Sequence, residues 1–250
     1  MSAPAAAATG KPKTKKSSKA KSSTAADDGR VHKLSLKGSS KLVSEFFEYS
    51  INSILFQRGV YPAEDFAAVK KYGLNMLVTA DDQVRAYIRR IMSQLHRWMA
   101  GGKISKLVVV IASKDTGEPL ERWQFDVQLL QQKKQKAAAV PEIPDENGVA
   151  PETEPAAAAA EVHKDKTEKE IQEEIQSLFR QITASVTFLP MLDGRCTFNV
   201  LVYADGDADV PMEWGDSDAR EIVDGEKVTL RSWGTSSHRV DTLVSYKLAD

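Results

Sequence analysis

Residues 167–190 read TEKEIQEEIQSLFRQITASVTFLP and carry the helix on which the fold turns. Thr167 and Glu170 have the spacing of a capping box, in which the hydroxyl and the carboxylate satisfy amide groups that a helix start leaves unpaired. Ile171, Ile175, Leu178, Phe179, Ile182 and Val186 follow at helical intervals and form one apolar stripe. Glu173, Glu174, Arg180 and Gln181 fall off the stripe and are expected to meet water or a partner. Pro190 has no amide to continue a helix, so the run ends there. Residues 183–189 are β-branched and aromatic, which leaves the position of the last turn open. A single apolar stripe needs a sheet to cover it, and the segments able to form one lie on both sides in sequence.

Upstream, residues 107–111 (LVVVI) are an apolar run too short for a helix and read as a central strand covered on both faces. After a turn around residues 115–117, Trp123, Phe125, Val127 and Leu129 alternate with polar residues, so the pair reads as a hairpin. Two further helices precede it. One spans about 41–57, with Ser39 and Ser40 available as caps and an apolar face of Leu42, Val43, Phe46, Phe47, Ile51, Ile54 and Leu55. The other spans 79–100, with Val84, Tyr87, Ile88, Ile91, Leu95, Trp98 and Met99 facing inward. Residues 66–77 are short, amphipathic and broken by Gly73, and fit neither element type cleanly. Residues 31–36 (VHKLSL) read as a short edge strand. Downstream, 196–203 (CTFNVLVY) and 227–231 read as strands around an acidic loop carrying Trp214. Residues 238–248 are β-rich, with Val244, Tyr246 and Leu248 presenting one apolar face. On that pattern, truncation after Arg239 is expected to leave most of the domain folded.

The chain has 250 residues, enough for one sizeable domain plus tails. A formal net charge of -1 gives no global reason to bind nucleic acid or membrane. Cys196 is the only cysteine, which fits a reducing compartment, and no apolar run is long enough to span a membrane. Residues 1–30 are rich in Ala, Ser and Lys and are expected to be a disordered basic tail. The readings for it are a solubilising tail, a nuclear-import signal or a weak nucleic-acid contact; aromatic residues for base stacking are absent. Residues 133–166 turn to Pro, Glu and Ala and read as a disordered insertion within one domain spanning 31–250, because the sheet is unfinished before them.

Catalytic signals are sparse. The four histidines, His32, His96, His163 and His238, include no pair at metal-ligand spacing. Cys196 reads as a buried strand residue, and neither a phosphate loop nor a nucleophile elbow occurs. No cofactor or metal site is expected, and a binding module is favoured over an enzyme. Trp98 and Trp123 lie on apolar faces, whereas Trp214 and Trp233 lie in irregular segments, where core packing and partner anchoring are both open. The residues alone thus describe an α+β domain of three main helices on a mostly antiparallel sheet.

Specific runs go further. VSEFFEYSINSILFQRGVYP (43–62), KYGLNMLVT (71–79), KLVVVI (106–111), ERWQFDV (121–127), FRQITASVTFLP (179–190) and VTLRSWGTSSHRVDTLVSYK (228–247) closely resemble the second-member branch of the mitotic arrest deficient family, HORMA-domain proteins of the spindle checkpoint. The likeness runs from about residue 34 to 248, and only the tail and the insertion depart from it. It implies a protein that is not an enzyme and has two folds, open and closed. A mobile C-terminal safety belt, spanning 207–250 in this chain, wraps a partner peptide that adds a strand to the sheet edge. Implied partners are peptide motifs of a coiled-coil kinetochore scaffold and of the activator of the anaphase-promoting complex, whose sequestration delays anaphase. Self-association of open and closed copies, and a remodelling ATPase with its adaptor acting at the N-terminal end, are implied as well. So are locations in nucleus, kinetochore and cytoplasm. Residue by residue, Arg180, Gln181 and Phe188 match the dimer surface. Trp214, Trp233, Val244, Tyr246 and Leu248 fall in the belt and its peptide site, and Leu36 matches a position that biases open against closed. The competing readings are a HORMA adaptor of a translesion polymerase or meiotic chromosome axis, which the ERWQFD and RQITA runs oppose, and a nucleic-acid binder acting through the lysine tail, whose affinity would fall steeply with salt.

Overall fold

A computed structural model describes residues 34–130 and 166–248, except 207, 209, 212, 213 and 216. The lysine-rich stretch and all of the insertion but Lys166 therefore lie outside the described residues, as do residues 31–33 of the expected edge strand. Leu34 and Ser35 are not in a strand, and Leu36 already begins helix α1 (Leu36–Gln57). The helix starts one turn earlier than the serines at 39 and 40 suggested, because the Ser35 hydroxyl accepts the Gly38 amide at 3.1 Å. Ser39 and Ser40 are instead buried inside the helix, where their small side chains admit close neighbours. Val43, Phe46, Phe47, Ile51, Ile54 and Leu55 are fully buried along one face.

Residues 66–79 form a hairpin, β1 (Phe66–Lys71) and β2 (Leu74–Thr79). Its two-residue turn holds Tyr72 at φ 50 and Gly73 at φ 69, both left-handed, as a type I′ turn requires. Helix α2 (Asp82–Ala100) is capped by Asp81, whose carboxylate accepts the Val84 amide at 2.8 Å. Tyr87 departs from the expected buried face: it is 38% exposed, and its hydroxyl donates to Asn199. Helix α3 (Glu168–Ala184) has the capping box read from the sequence, with Thr167 and Glu170 bonded reciprocally. The helix ends at Ala184, and a single 3-10 turn (Ser185–Thr187) follows. That change of geometry turns Val186 off the stripe, leaving it 41% exposed.

The main sheet has the order β5 (Cys196–Ala204), β3 (Ile104–Ser113), β4 (Pro119–Leu129), β8 (His238–Tyr246), β6 (Glu226–Thr229), and the short β7 (Trp233–Gly234) also pairs with β8. Every pairing is antiparallel. Leu107, Val109 and Ile111 join Trp123, Phe125, Val127, Val200, Val240 and Val244 in the core under the helices. Val108 and Val110 on the other face are also buried, so β3 is covered on both sides as its unbroken apolar run requires. Phe46 ties the layers together: its ring lies 5.8 Å from Phe125 of β4, 5.4 Å from Phe179 of α3 and 5.0 Å from Trp233 of β7. Aromatic pairs at such spacings add to what burial alone contributes.

Candidate functional site

Strand β5 pairs with β3 on one side, and among the described residues nothing pairs with its other side. A nine-residue edge presenting unpaired backbone groups is a template for another strand. Aromatic side chains collect beside it. Tyr61 and Tyr87 both meet Phe198 edge-on, at 6.1 and 5.5 Å. Cys196, expected to be buried, sits half-exposed at the start of this edge strand, where the sheet runs out of neighbours.

Among the described residues the chain does not return along that edge. After Asp205, whose amide donates to the Lys103 carbonyl, comes a connection beyond which the chain next forms a strand in β6, at the opposite side of the sheet. This connection touches both layers. Trp214 packs edge-on against Trp98 of α2, ring centres 5.0 Å apart, on the helix side. Ala219 and Glu221 meet Arg122 on the other face, and Ile222 is buried. At its far end Gly225 passes so close to β8 that a Cβ there would stand 2.7 Å from the Tyr246 carbonyl and 2.3 Å from Ile222, a clash that only glycine avoids.

The segment beyond it is fastened at several points. β8 lies inside the sheet, between β4 and β6, with Val240 and Val244 fully buried. Trp233 is 1% exposed. The Gln181 side-chain oxygen accepts the Arg231 amide at 2.7 Å, and Glu174 accepts the Gly234 amide at 3.2 Å. These off-stripe residues of α3 thus meet the C-terminal segment of the same chain. At the turn between β7 and β8, His238 Nδ1 lies 2.6 Å from the Ser39 hydroxyl, which lies 2.6 Å from that of Thr235. The whole cluster is buried. Burial pushes His238 below its ordinary pKa of 6.5. An unfolded chain therefore binds the proton more readily, and stability should be complete above about pH 6.5 and fall as the pH drops below it. Melting temperatures across that range should show this slope, and His238→Gln should flatten it; equal slopes in both proteins would remove His238 as the cause.

Under the opposite end of β8, Arg58 donates from Nε to Glu121 at 2.7 Å and from Nη2 to the Pro190 carbonyl, while the Trp123 indole also donates to Glu121. Burial pushes the Glu121 carboxyl up, against the opposing pull of Arg58 and Trp123. This network joins the end of α1, β4 and the chain after α3.

The residues singled out by family likeness have distinct settings. Arg180 is exposed, and its guanidinium donates to Gln176 at 3.3 Å. Phe188 is 39% exposed, with its ring 6.2 Å from that of Tyr246. Val244 and Tyr246 face inward, but Leu248 lies past the end of β8 and is 55% exposed, so the expected three-residue apolar face stops at Tyr246. Leu36 is exposed at the start of α1. Arg122, Glu121, Arg58 and His238 lie in the runs that carry the resemblance, but no role could be read for them there, because each acquires its role from residues distant in sequence. Among the described residues, no group of three or more His, Cys, Asp or Glu side chains is placed to hold a metal ion, and no helix is long and apolar enough to cross a membrane.

Among the described residues, the β5 edge is unpaired beside an aromatic cluster, the connection meets both layers, and the last strand lies between β4 and β6. The chain belongs to the HORMA-domain family, whose profile matches residues 39–238. Within that family its relatives are spindle-checkpoint components. The mitotic spindle checkpoint component mad2 of Schizosaccharomyces pombe is 54% identical over 214 residues, covering 86% of this chain and 94% of the relative. MAD2 of Saccharomyces cerevisiae is 48% identical over 216 residues, 86% of this chain and 97% of its own. A chain in the crystal structure of a mitotic checkpoint complex superposes with a TM-score of 0.68 at 52% identity, over 84% of this chain and 98% of that one.

Proposed function

We propose that this protein is a spindle-checkpoint adaptor that accepts a short extended peptide as an added strand on the free edge of β5 and retains it with the 205–225 connection. The observation that carries this reading is the placement of β8 beside β4, which leaves β5 unpaired and sends the chain between the two sides of the sheet. Backbone pairing along β5 supplies affinity for any extended segment, and the aromatic cluster of Tyr61, Tyr87 and Phe198 selects among side chains. The peptides are motifs of the anaphase-promoting-complex activator and of a coiled-coil kinetochore scaffold. Holding the activator delays anaphase, a task carried out at kinetochores, in the nucleus and in the cytoplasm. The arrangement of β8 corresponds to the closed, retaining state. An open state, with Leu36 at the end of α1 that biases the exchange, and a remodelling ATPase with its adaptor complete the cycle. Identities of 54% and 48% to mitotic checkpoint components favour this branch over a translesion-polymerase or meiotic adaptor.

The test uses the full chain with a specific protease site inserted after the exposed Val210, loaded with a labelled activator peptide. Cutting the connection after loading should speed release by orders of magnitude, because retention governs dissociation more than association. Release as slow after cutting as before would sink the reading. Truncation after Arg239 is a poorer test than the sequence suggested: it strips an inner strand from between β4 and β6 and exposes the core that Val240 and Val244 cover.

A second surface follows from Arg180 and Phe188, both exposed near α3. Arg180→Ala should abolish self-association of open and closed copies while leaving peptide binding intact, since the Arg180 side chain is exposed and its bond to Gln176 is long. Sizing by light scattering decides; an unchanged dimer population would remove Arg180 from that surface.

A further inference from the structure

We infer that Arg122 is the clasp of residues 217–225, the described end of the connection, and the group that sets how fast that end comes away from the sheet and therefore how long a bound peptide stays. The inference rests on the retention reading above and adds its regulation. Arg122 lies on the face of the sheet away from the helices, paired in register with Val110 of β3 and Ser245 of β8, yet it is 2% exposed. A buried guanidinium must find acceptors for its donors. Two come from the sheet: Nη1 donates to Gln124 at 2.6 Å and Nη2 to the Tyr203 hydroxyl at 3.4 Å. Two come from the connection: Nε donates to the Ala219 carbonyl at 3.1 Å, and Nη2 lies 3.2 Å from the Glu221 carboxylate.

The division matters. The sheet partners hold the guanidinium in position without the connection. Gln124 is itself fixed by a 2.7 Å bond to Asp126, and Asp126 is paired with Lys106 at 3.5 Å. Arg122 therefore waits in place, and closing the connection adds charge-assisted bonds at little cost in side-chain ordering. Opening must break both bonds together. Arginine suits the task because its planar fork serves a carbonyl and a carboxylate at once, which a lysine ammonium does from one point only. Arg122 contacts none of the β5 edge groups that a peptide strand would pair with except through Tyr203, so it acts by positioning the connection.

The experiment measures release of the labelled activator peptide from the full chain, chased with excess unlabelled peptide, in the parent, Arg122→Met, Arg122→Lys and Glu221→Gln. Association rates, melting temperatures and hydrogen exchange in residues 217–222 and 107–111 are followed on the same samples. Release should quicken roughly ten- to a hundredfold in Arg122→Met, as expected for losing bonds to a charged group. Arg122→Lys should fall between, and Glu221→Gln should quicken release a few-fold. Exchange should rise at 217–222 and stay unchanged at 107–111, and association should be unaltered. A purely structural role would instead loosen both segments and lower melting in step with release. If Arg122→Met proves too unstable to load, Arg122→Lys and Glu221→Gln decide, since the Glu221 side chain is 57% exposed and dispensable for the core; parental release in both would overturn the clasp. If cutting after Val210 speeds release while the Arg122 variants release as the parent does, the clasp is wrong and retention stands. If cutting has no effect either, retention itself is wrong.

Discussion

Trp233→Ala is expected to lower stability by about 3–5 kcal/mol, the range for truncating a large buried aromatic, and to free the C-terminal hairpin from α1. Trp233 is one of the largest fully buried side chains and stacks edge-on against Phe46 at 5.0 Å, so its loss opens a cavity where three elements meet. The backbone around it is held by two pairs to β8 and by the side-chain bonds of Gln181 to Arg231 and of Glu174 to Gly234, too few to keep the hairpin fully docked over a void. Among the described residues its indole N–H has no hydrogen-bond partner, so what the ring contributes there is packing. Trp233→Phe should cost less than Trp233→Ala, because it keeps a ring against Phe46 and leaves a smaller cavity. Denaturant titration of both variants, with hydrogen exchange across β8, separates packing from polar contribution. Equal losses in the two would show that the indole nitrogen matters after all.

Glu121→Ala should be comparably severe for a different reason. It leaves the Arg58 charge, with a side chain only 5% exposed, without its carboxylate. Breaking one side of a buried ion pair costs about 3–5 kcal/mol, which at roughly 2–4 °C per kcal/mol for a domain of this size lowers melting by about 10 °C. Replacing both partners, as in Arg58→Met with Glu121→Leu, should recover most of the loss, because no stranded charge then remains. A double variant as unstable as the single one would mean that the pair contributes through geometry that apolar side chains cannot reproduce.

How far the sequence spoke depended on the range of each interaction. The capping box at Thr167 and Glu170, the LVVVI strand and the alternating strand carrying Trp123 were legible because their signals are local. Strand pairing was legible only where a hairpin joins neighbours, as in β3 and β4. The β1–β2 hairpin was missed because FAAVKK hardly alternates and Tyr-Gly is a weak turn signal beside Asn-Gly. Ser35 lost the cap to the serines four and five residues later, which are identical in chemistry and differ only in what packs on them. The functional edge was legible as a strand at 196–203 but not as an edge, since that depends on where β8 inserts. What Arg122, Gln181 and His238 bond to was beyond reach for the same reason. Their partners lie 97, 50 and 199 residues away in sequence, and no spacing rule spans such distances.

The place of β8 also bears on how the protein is made. Glu121 pairs with Tyr246, so the β4 side of the sheet is completed by residues synthesised long after β4 itself. Until they arrive, β4 carries a bare row of backbone donors and acceptors over an apolar core, a surface prone to capture a strand from another nascent chain. Such distant pairing is slow to form, because the loop between the strands must close before any contact repays its entropy. Refolding from denaturant is accordingly expected to be slow and sensitive to protein concentration, with exchanged-strand dimers as the characteristic by-product.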